Sequence, residues 1–459
     1  MKKIYAVLLL SSSLSAAVNA DVTLIATGHI DAEARDLSSR TGGALESGAP
    51  GNLLAGMSSG LAYAGNNTFL SIPDRGPNAS TYNAAIDNTT SYIPRFHSVQ
   101  IDTVANAAFD PALTGSLPFL LSLHATSTTL LSDSKPLTYG VNGAPSLNSK
   151  KKYYFSGRSD NFNPATRSTT PMDGRLDPES IRVANDGRDI FISDEYGPFI
   201  YEFDRATGDR STVYTLPTYY AVAHKVAYEK TSSGEIAVNT VGRTTNKGME
   251  GLAITPNGGS IVGIMQANLI QDAKKYVRIA KINLRTRAVK EYAYLLTDGS
   301  GVSEILAVSN DKFLVLERDG TGLGDNSLAA VKKLYLIDLA TATEVTGTAA
   351  IGAGSPVVSK TLFLDIVAAL SNYGMSLADI PSKMEGIAFG SEISINGENK
   401  LTLLLGNDND FLPVITDGLH PTGIQNPNQF FMFAIDPTEL PDYIPQRIRS
   451  SELDDRDRG

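Results

Sequence analysis

The chain has no cysteine and no tryptophan, and only five histidines in 459 residues. Without cysteine there can be no disulfide, no thiolate metal site and no cysteine nucleophile. His29, His97, His124, His224 and His420 show neither HxH nor HxxxH spacing, which argues against a zinc site. Positive charge is scarce too: 39 Lys and Arg stand against 49 Asp and Glu, a formal net charge of −10. An acidic surface disfavours nucleic acid and anionic membrane as partners and tolerates cations. No apolar run reaches the ~20 residues of a membrane span. The run at residues 4–10 stops at Ser11, Ser12 and Ser13.

What is present begins with a leader pattern. Lys2 and Lys3 precede that short apolar run, and Val18-Asn19-Ala20 offers small residues at the cleavage positions. The pattern predicts an exported protein, periplasmic or secreted, with residues 1–20 as signal peptide. Losing two lysines makes the mature chain still more acidic. No Pro/Ser-rich linker divides the remainder. Residues 21–448 therefore read as one domain, and residues 449–459, ending in SSELDDRDRG, as a disordered tail.

The fold signal is a repeat. Residues 177–204 read DPESIRVANDGRDIFISDEYGPFIYEFD, short apolar runs separated by Asn, Asp, Gly and Pro. Residues 58–74, 249–266, 302–317 and 384–407 follow the same plan. Each opens with a small or acidic residue two places before an apolar one: Ser59/Leu61, Glu179/Ile181, Glu250/Leu252, Ser303/Ile305 and Glu385/Ile387. A polar turn and a second apolar run follow, the run stopping at Asp74, Asp194, Gln266, Glu317 or Asn407. This predicts an all-β fold, a β-propeller with five blades counted from the repeats, and residues 125–176 leave room for a sixth. The lone strand at residues 22–30 is expected to pair with the strand at 430–435 and close the ring. Leu362, Phe363, Ile366, Val367 and Leu370 recur at helical spacing and predict a helix over residues 360–370.

In an antiparallel meander the start of the first strand and the end of the second share an edge, and in a propeller those edges surround one mouth of the channel. Glu179, Glu250 and Glu385 are expected to converge there, with Asp74, Asp194, Gln266, Glu317 and Asn407 beside them. Glu195 follows Asp194 directly, and Glu304 falls one place out of register. Crowded carboxylates repel one another unless cations compensate them. Oxygen-only donors suit a divalent cation, Ca2+ above all, or Mg and Mn with more water. The expected ligands are Glu179, Glu250, Glu385, Asp194, Asp74 and Asn407, the three glutamates sharing one ion. Each has a structural alternative, since Glu at a strand start can bond backbone and Asp at a strand end commonly forms a turn. Arg75, Arg243 and Lys247 lie close in sequence, which suits either phosphate recognition or ordinary salt bridges. Asn407-Asp408-Asn409-Asp410 resembles half a calcium loop, but Leu412 and Gly418 occupy the places of its Gly and Glu. Gly56-Met57-Ser58-Ser59-Gly60 matches a nucleophile elbow by letter only, because a loop precedes it and a strand follows.

The segments DRGPN at Asp74, DPESIR at Asp177, SDEYGPFIYEFD at Ser193, NKGMEGLAITPNG at Asn246 and KMEGIAFG at Lys383 resemble the phytase-like family, esterase-like activity of phytase. The resemblance covers roughly residues 56–436. It implies an exported β-propeller with acidic motif residues that hydrolyses phosphoesters, its substrate a small anionic or ester compound. The RHGxRxP motif of histidine acid phosphatases is absent, so that mechanism is not available. On this reading Glu195 is the general base, and Arg75 and Lys247 neutralise the phosphoryl group. Two rivals stand beside it, a metal-dependent lactonase or carboxylesterase and a non-catalytic binding propeller of the cell surface or periplasm.

The leader is directly testable. N-terminal sequencing of protein recovered from the periplasm or medium should begin near Asp21, and a chain that still carries Met1 would refute the export reading.

Overall fold

Alternating apolar runs with polar turns form meanders here as the pattern dictates. The computed structural model describes residues 21–78, 89–140, 143–224 and 236–449. The chain is nearly all-β and folds as a β-propeller. Its innermost strands are Gly60–Tyr63, Pro178–Val183, Met249–Ile254, Gly301–Ala307 and Met384–Phe389, which begin units 1 to 5. These strands touch one another in ring order, and the fifth returns to the first. Units 2, 3 and 4 are separate four-stranded sheets, whereas units 1 and 5 join in one larger sheet. The predicted leader, and the predicted tail from residue 450 on, lie outside the described residues.

The join is the ring closure. Val22–Ile30 pairs antiparallel with Asn428–Ile435, from Val22↔Ile435 to Ile30↔Asn428. The first strand of the chain is thus the outermost strand of unit 5. It also meets the outermost strand of unit 1 through Ala26↔Phe119 and Thr27↔Leu120. Four apolar clusters fill the gaps between units. Phe191, Leu252 and Val302 mark the one that runs through units 2, 3 and 4. Leu306 with Phe431 joins units 4 and 5, Phe430 with Leu61 joins 5 and 1, and Leu70 with Ile190 joins 1 and 2. The innermost strands of units 2, 3 and 5 are buried along their whole length, because they have neighbours on both faces.

Two expectations need correction. Residues 360–370 are not one helix: Lys360–Asp365 is the outermost strand of unit 4, and the helix is Ile366–Tyr373. Asp365 divides them, its side chain accepting the Ala368 N–H as N-cap, and Gly374 ends the helix at φ 107°. The helical spacing seen in sequence therefore spans a strand-to-helix junction. Residues 131–176 hold no further four-stranded unit among the described residues; they carry a ladder between Ser132–Asp133 and Tyr153–Tyr154 and isolated bridges such as Thr138↔Asp173 and Ser156↔Arg175. Pro136, Pro145, Pro164 and Pro171 deny this stretch regular strands.

Four inner strands carry a β-bulge at the same place, with register shifts between Pro178/Ile181, Met249/Gly251, Val302/Glu304 and Met384/Ile387. A bulge turns its extra residue out of the strand's alternation. Glu179, Glu250, Ser303 and Glu385 occupy those bulges, and Glu304 stands just past one. Glu304 therefore lies inside the ring. Its Oε2 accepts from Ser180 Oγ at 2.8 Å and pairs with Arg182 Nη2 at 2.9 Å, while Oε1 accepts the N–H groups of Leu252 and Ile305 at 2.9 Å each. Arg182 in turn donates to the carbonyls of Leu61, Ile181 and Ile305. Units 1 to 4 meet in this network. At the far mouth, residues 443–446 cross the ring, Ile444 N bonding Val308 O at 2.8 Å and Gln446 Nε2 bonding Val183 O at 2.7 Å.

The Arg182–Glu304 pair is buried and bonded to strands of several units, so removing one partner strands the other. Arg182→Met or Glu304→Leu alone should cost about 3–5 kcal/mol in denaturant unfolding, and the double variant should recover much of the loss. Additive losses in the double variant would show that the two do not act as a pair.

Candidate functional site

The bulges give the acidic mouth its geometry. In each repeat the residue before the inner strand faces the residue after the second strand. Glu195 N bonds Asp177 O at 2.9 Å in unit 2, Gln266 N bonds Gly248 O at 3.0 Å in unit 3, and Asp408 N bonds Lys383 O at 3.0 Å in unit 5. In unit 4 the matching pair is Gly301↔Arg318. Between these pairs the bulge presents Glu179, Glu250, Ser303 and Glu385. One backbone frame is thus furnished with different charges in different units.

Unit 2 is the most acidic frame. Asp177, Glu179 and Glu195 are all buried, and each offers a carboxylate oxygen within 4.8 Å of the others. Arg75 holds Asp177 through its backbone N at 3.0 Å and Nη1 at 2.9 Å. Glu195 Oε1 accepts Gly248 N at 3.2 Å. The chain needs glycine at 248, since a Cβ there would lie 2.0 Å from Glu195 O. Glu179, 8 % exposed, makes no hydrogen bond among the described residues. Its neighbours in the ring are better held. Glu250 Oε1 accepts from Gln266 Nε2 at 2.7 Å, and Glu385 Oε1 is paired with Arg318. The second oxygen of each, Glu250 Oε2 and Glu385 Oε2, is buried without a partner among the described residues, as are Arg75 Nε and Arg318 Nε.

A second acidic group lies beside the first. Asp74, Asp408 and Asp410 again place oxygens within 4.8 Å of one another. Lys383 Nζ reaches into this group, 2.7 Å from Asp408 Oδ2 and also paired with Asp410. Asp74 Oδ1 accepts Gly76 N at 2.8 Å.

The sequence-predicted residues divide accordingly. Glu179, Glu195, Glu250, Glu385, Asp74 and Arg75 are gathered around the mouth. Asp194 is occupied by backbone: Oδ1 accepts from Asp177 and Tyr196, and Oδ2 from Gly197. Asn407 Oδ1 accepts Gln429 N at 2.6 Å. Glu317 anchors the turn at Thr297, Asp298 and Gly299 through three backbone N–H groups. Among the described residues no group of three acids includes Glu250 or Glu385, so the three bulge glutamates do not converge on one point. Their own neighbours, Gln266 and Arg318, hold two of them apart. Lys247 is half-buried with no ion pair among the described residues, and Arg243 Nε donates to Tyr196 O at 3.0 Å. Asp177, Lys383 and Arg318 complete the site without having been predicted in it, and Asp408 and Asp410 enter it from the stretch that resembles half a calcium loop. Their signal was positional: Lys383 stands two before Glu385 as Asp177 stands two before Glu179.

Burial dominates the electrostatics. Desolvation raises the carboxyl of Asp194 to about 7 and that of Glu195 to about 8, the latter helped by Asp177 and opposed by Arg75 and Arg243. Glu179 and Glu250 are pushed well above the ordinary carboxylate range by burial first and then by neighbouring acids, including Glu250 on Glu179 and Glu195 on Glu250. Asp74 is raised by burial and Asp408, against Lys383 and Arg75. A protein that keeps such groups dry either protonates them or supplies a cation. The oxygen-rich groups of this mouth could hold a metal ion.

These shifts set a pH dependence. Carboxyls whose folded pKa lies above the unfolded value stabilise the fold fully at low pH and lose that contribution as pH rises through the folded pKa. Between about pH 5 and 8, from just above the unfolded carboxylate range up to the folded values of Asp194 and Glu195, the melting temperature in chelator should fall. Millimolar calcium should flatten the decline. Calorimetric melts across that range would check both, and a chelated melting temperature that stays level or climbs would contradict the buried, protonated ring.

Comparison with known proteins follows the same outline. A fungal protein of Arthroderma benhamiae described as an uncharacterized secreted protein is 27% identical over 31% of this chain and 34% of its own length, so the match spans about a third of that relative. Among solved structures, the periplasmic gluconolactonase of Pseudomonas aeruginosa aligns at 10% identity and TM-score 0.31 over 84% of this chain and 78% of its own. The Dos1 propeller aligns at 8% and TM-score 0.29 over 88% and 72%. The family model described as Phytase-like, esterase-like activity of phytase, matches residues 53–411. The chain belongs to the Phytase-like family.

Proposed function

We propose that the acidic mouth hydrolyses phosphoesters with the help of a divalent cation, outside the cytoplasm. The observation that carries this reading is the meeting of opposite needs at one place. Asp177, Glu179 and Glu195 offer oxygens within 4.8 Å, and Glu250 Oε2 lacks a partner. Arg75 Nε and Arg318 Nε beside them lack an acceptor among the described residues. Unfilled acceptors suit a cation, and unfilled donors suit an oxyanion. A phosphoryl group bound through a cation satisfies both.

Asp177, Glu179 and Glu195 would hold the cation, calcium being the best match to oxygen donors alone. A cation there supplies Lewis-acid polarisation and lowers the pKa of a water. Arg75 and Arg318 orient the phosphoryl oxygens and offset the charge that develops on them. The half-buried Lys247 adds a further cation at the rim. Glu195, fixed on one oxygen by Gly248 N, has its other oxygen to accept a proton from the attacking water. The leader pattern and the secreted fungal relative support export. The family description names an esterase, which favours a carboxylester substrate as the second reading.

Phosphate release from p-nitrophenyl phosphate and inositol hexakisphosphate tests the proposal, with p-nitrophenyl acetate and a lactone run alongside. Activity should vanish in chelator while the protein stays folded. Arg75→Met should lower kcat by about 10²–10³-fold, and Glu179→Gln should be rescued in part by higher calcium. Cleavage of carboxylesters alone would move the assignment to the second reading. A folded protein that binds calcium and cleaves neither class would be a binding propeller.

A further inference from the structure

Unit 5 repeats the frame of unit 2 with one charge reversed. Asp177 and Lys383 hold the same position, each accepting on its carbonyl the N–H of the residue opposite, Glu195 or Asp408, at 2.9 and 3.0 Å. Glu179 and Glu385 occupy the matching bulges. Unit 2 is therefore Asp, Glu and Glu, and unit 5 is Lys, Glu and Asp. The Lys383 ammonium lies 2.7 Å from Asp408 Oδ2 and pairs with Asp410, inside a group that Asp74 completes. Glu385, 3 % exposed, keeps Oε2 unpartnered next to it. Three gathered carboxylates thus have an ammonium already among them, paired with two of the three.

We infer that Lys383 is a built-in cation that closes the unit 5 frame to metal, so that the protein takes a single divalent ion, in unit 2. An ammonium tethered to the chain has a high local concentration and its three donors match the surrounding oxygens. It compensates the acids of unit 5 at every calcium concentration, whereas unit 2 gains its full compensation only when an ion binds. Lys383 thereby decides both the stoichiometry and the place of the ion. The inference rests on the cation reading of unit 2.

The test is the number of calcium ions bound, by titration calorimetry of the mature chain with calcium alone, in the wild type and in Lys383→Asp. Lys383→Asp gives unit 5 the charges of unit 2. One ion in the wild type and two in the variant is the expected result. Two ions in the wild type, or one in each of two folded proteins, would overturn the inference. No ion in the wild type with one in Lys383→Asp would remove the unit 2 reading and leave the role of Lys383 standing; none in either removes both. Should Lys383→Asp fold only when calcium is added, that dependence itself supports a new site. Should it fail to fold under any condition, Lys383→Met decides: it removes the ammonium without adding an acid, and a second, weaker calcium supports the inference while a single one defeats it.

Discussion

Four donors meet on the Glu304 carboxylate inside the ring, one each from Ser180, Arg182, Leu252 and Ile305. They come from three different units, and Arg182 carries the network on to the Leu61 carbonyl of a fourth. Inner strands packed side by side around an axis leave their polar groups with little water to bond. A carboxylate and a guanidinium that accept and donate in several directions answer that need. The pair lies inside the ring, and residues 443–446 lie across the far mouth. The bulged strand ends lie at the near one.

Bulges explain why acids gather there. An unbroken strand would alternate Glu179 or Glu250 into the packing between units. The extra residue turns each toward the mouth instead, at the cost of burying a carboxylate among others. The fold meets that cost differently in different units. Arg318 pairs with Glu385, Gln266 caps Glu250, and Lys383 answers Asp408 and Asp410. Glu179 is left with no hydrogen bond among the described residues. Compensation of the bulge glutamates is thus uneven from unit to unit.

The mouth of this Phytase-like chain carries guanidinium groups beside its acids. Its guanidinium groups are themselves anchored: Arg75 by Asp177, Arg318 by Glu385. A guanidinium anchored in this way has its orientation set by the protein itself.

By itself the sequence determined the period, and with it the class of fold. Apolar alternation and Asn, Asp and Gly turns are local properties, so five repeats and their polar ends could be read from spacing alone. The pairing of Val22–Ile30 with Asn428–Ile435 could be read as well, since an unpaired strand at each end of a repeating sheet needs a partner. Only the tertiary structure decided which acids are available. Asp194 and Asn407 end their strands as Glu195 and Asp408 nearly do, yet their oxygens are occupied by backbone N–H groups that come from turns and neighbouring strands. The strand-to-helix change at Asp365 was hidden because apolar spacing is continuous across it. Lys383 and Asp177 differ in sign at one shared position, and each meets a partner distant in sequence, Asp408 25 residues on for Lys383 and Arg75 102 residues back for Asp177. Periodicity is written along the chain, but the balance of buried charge is a sum over neighbours in space.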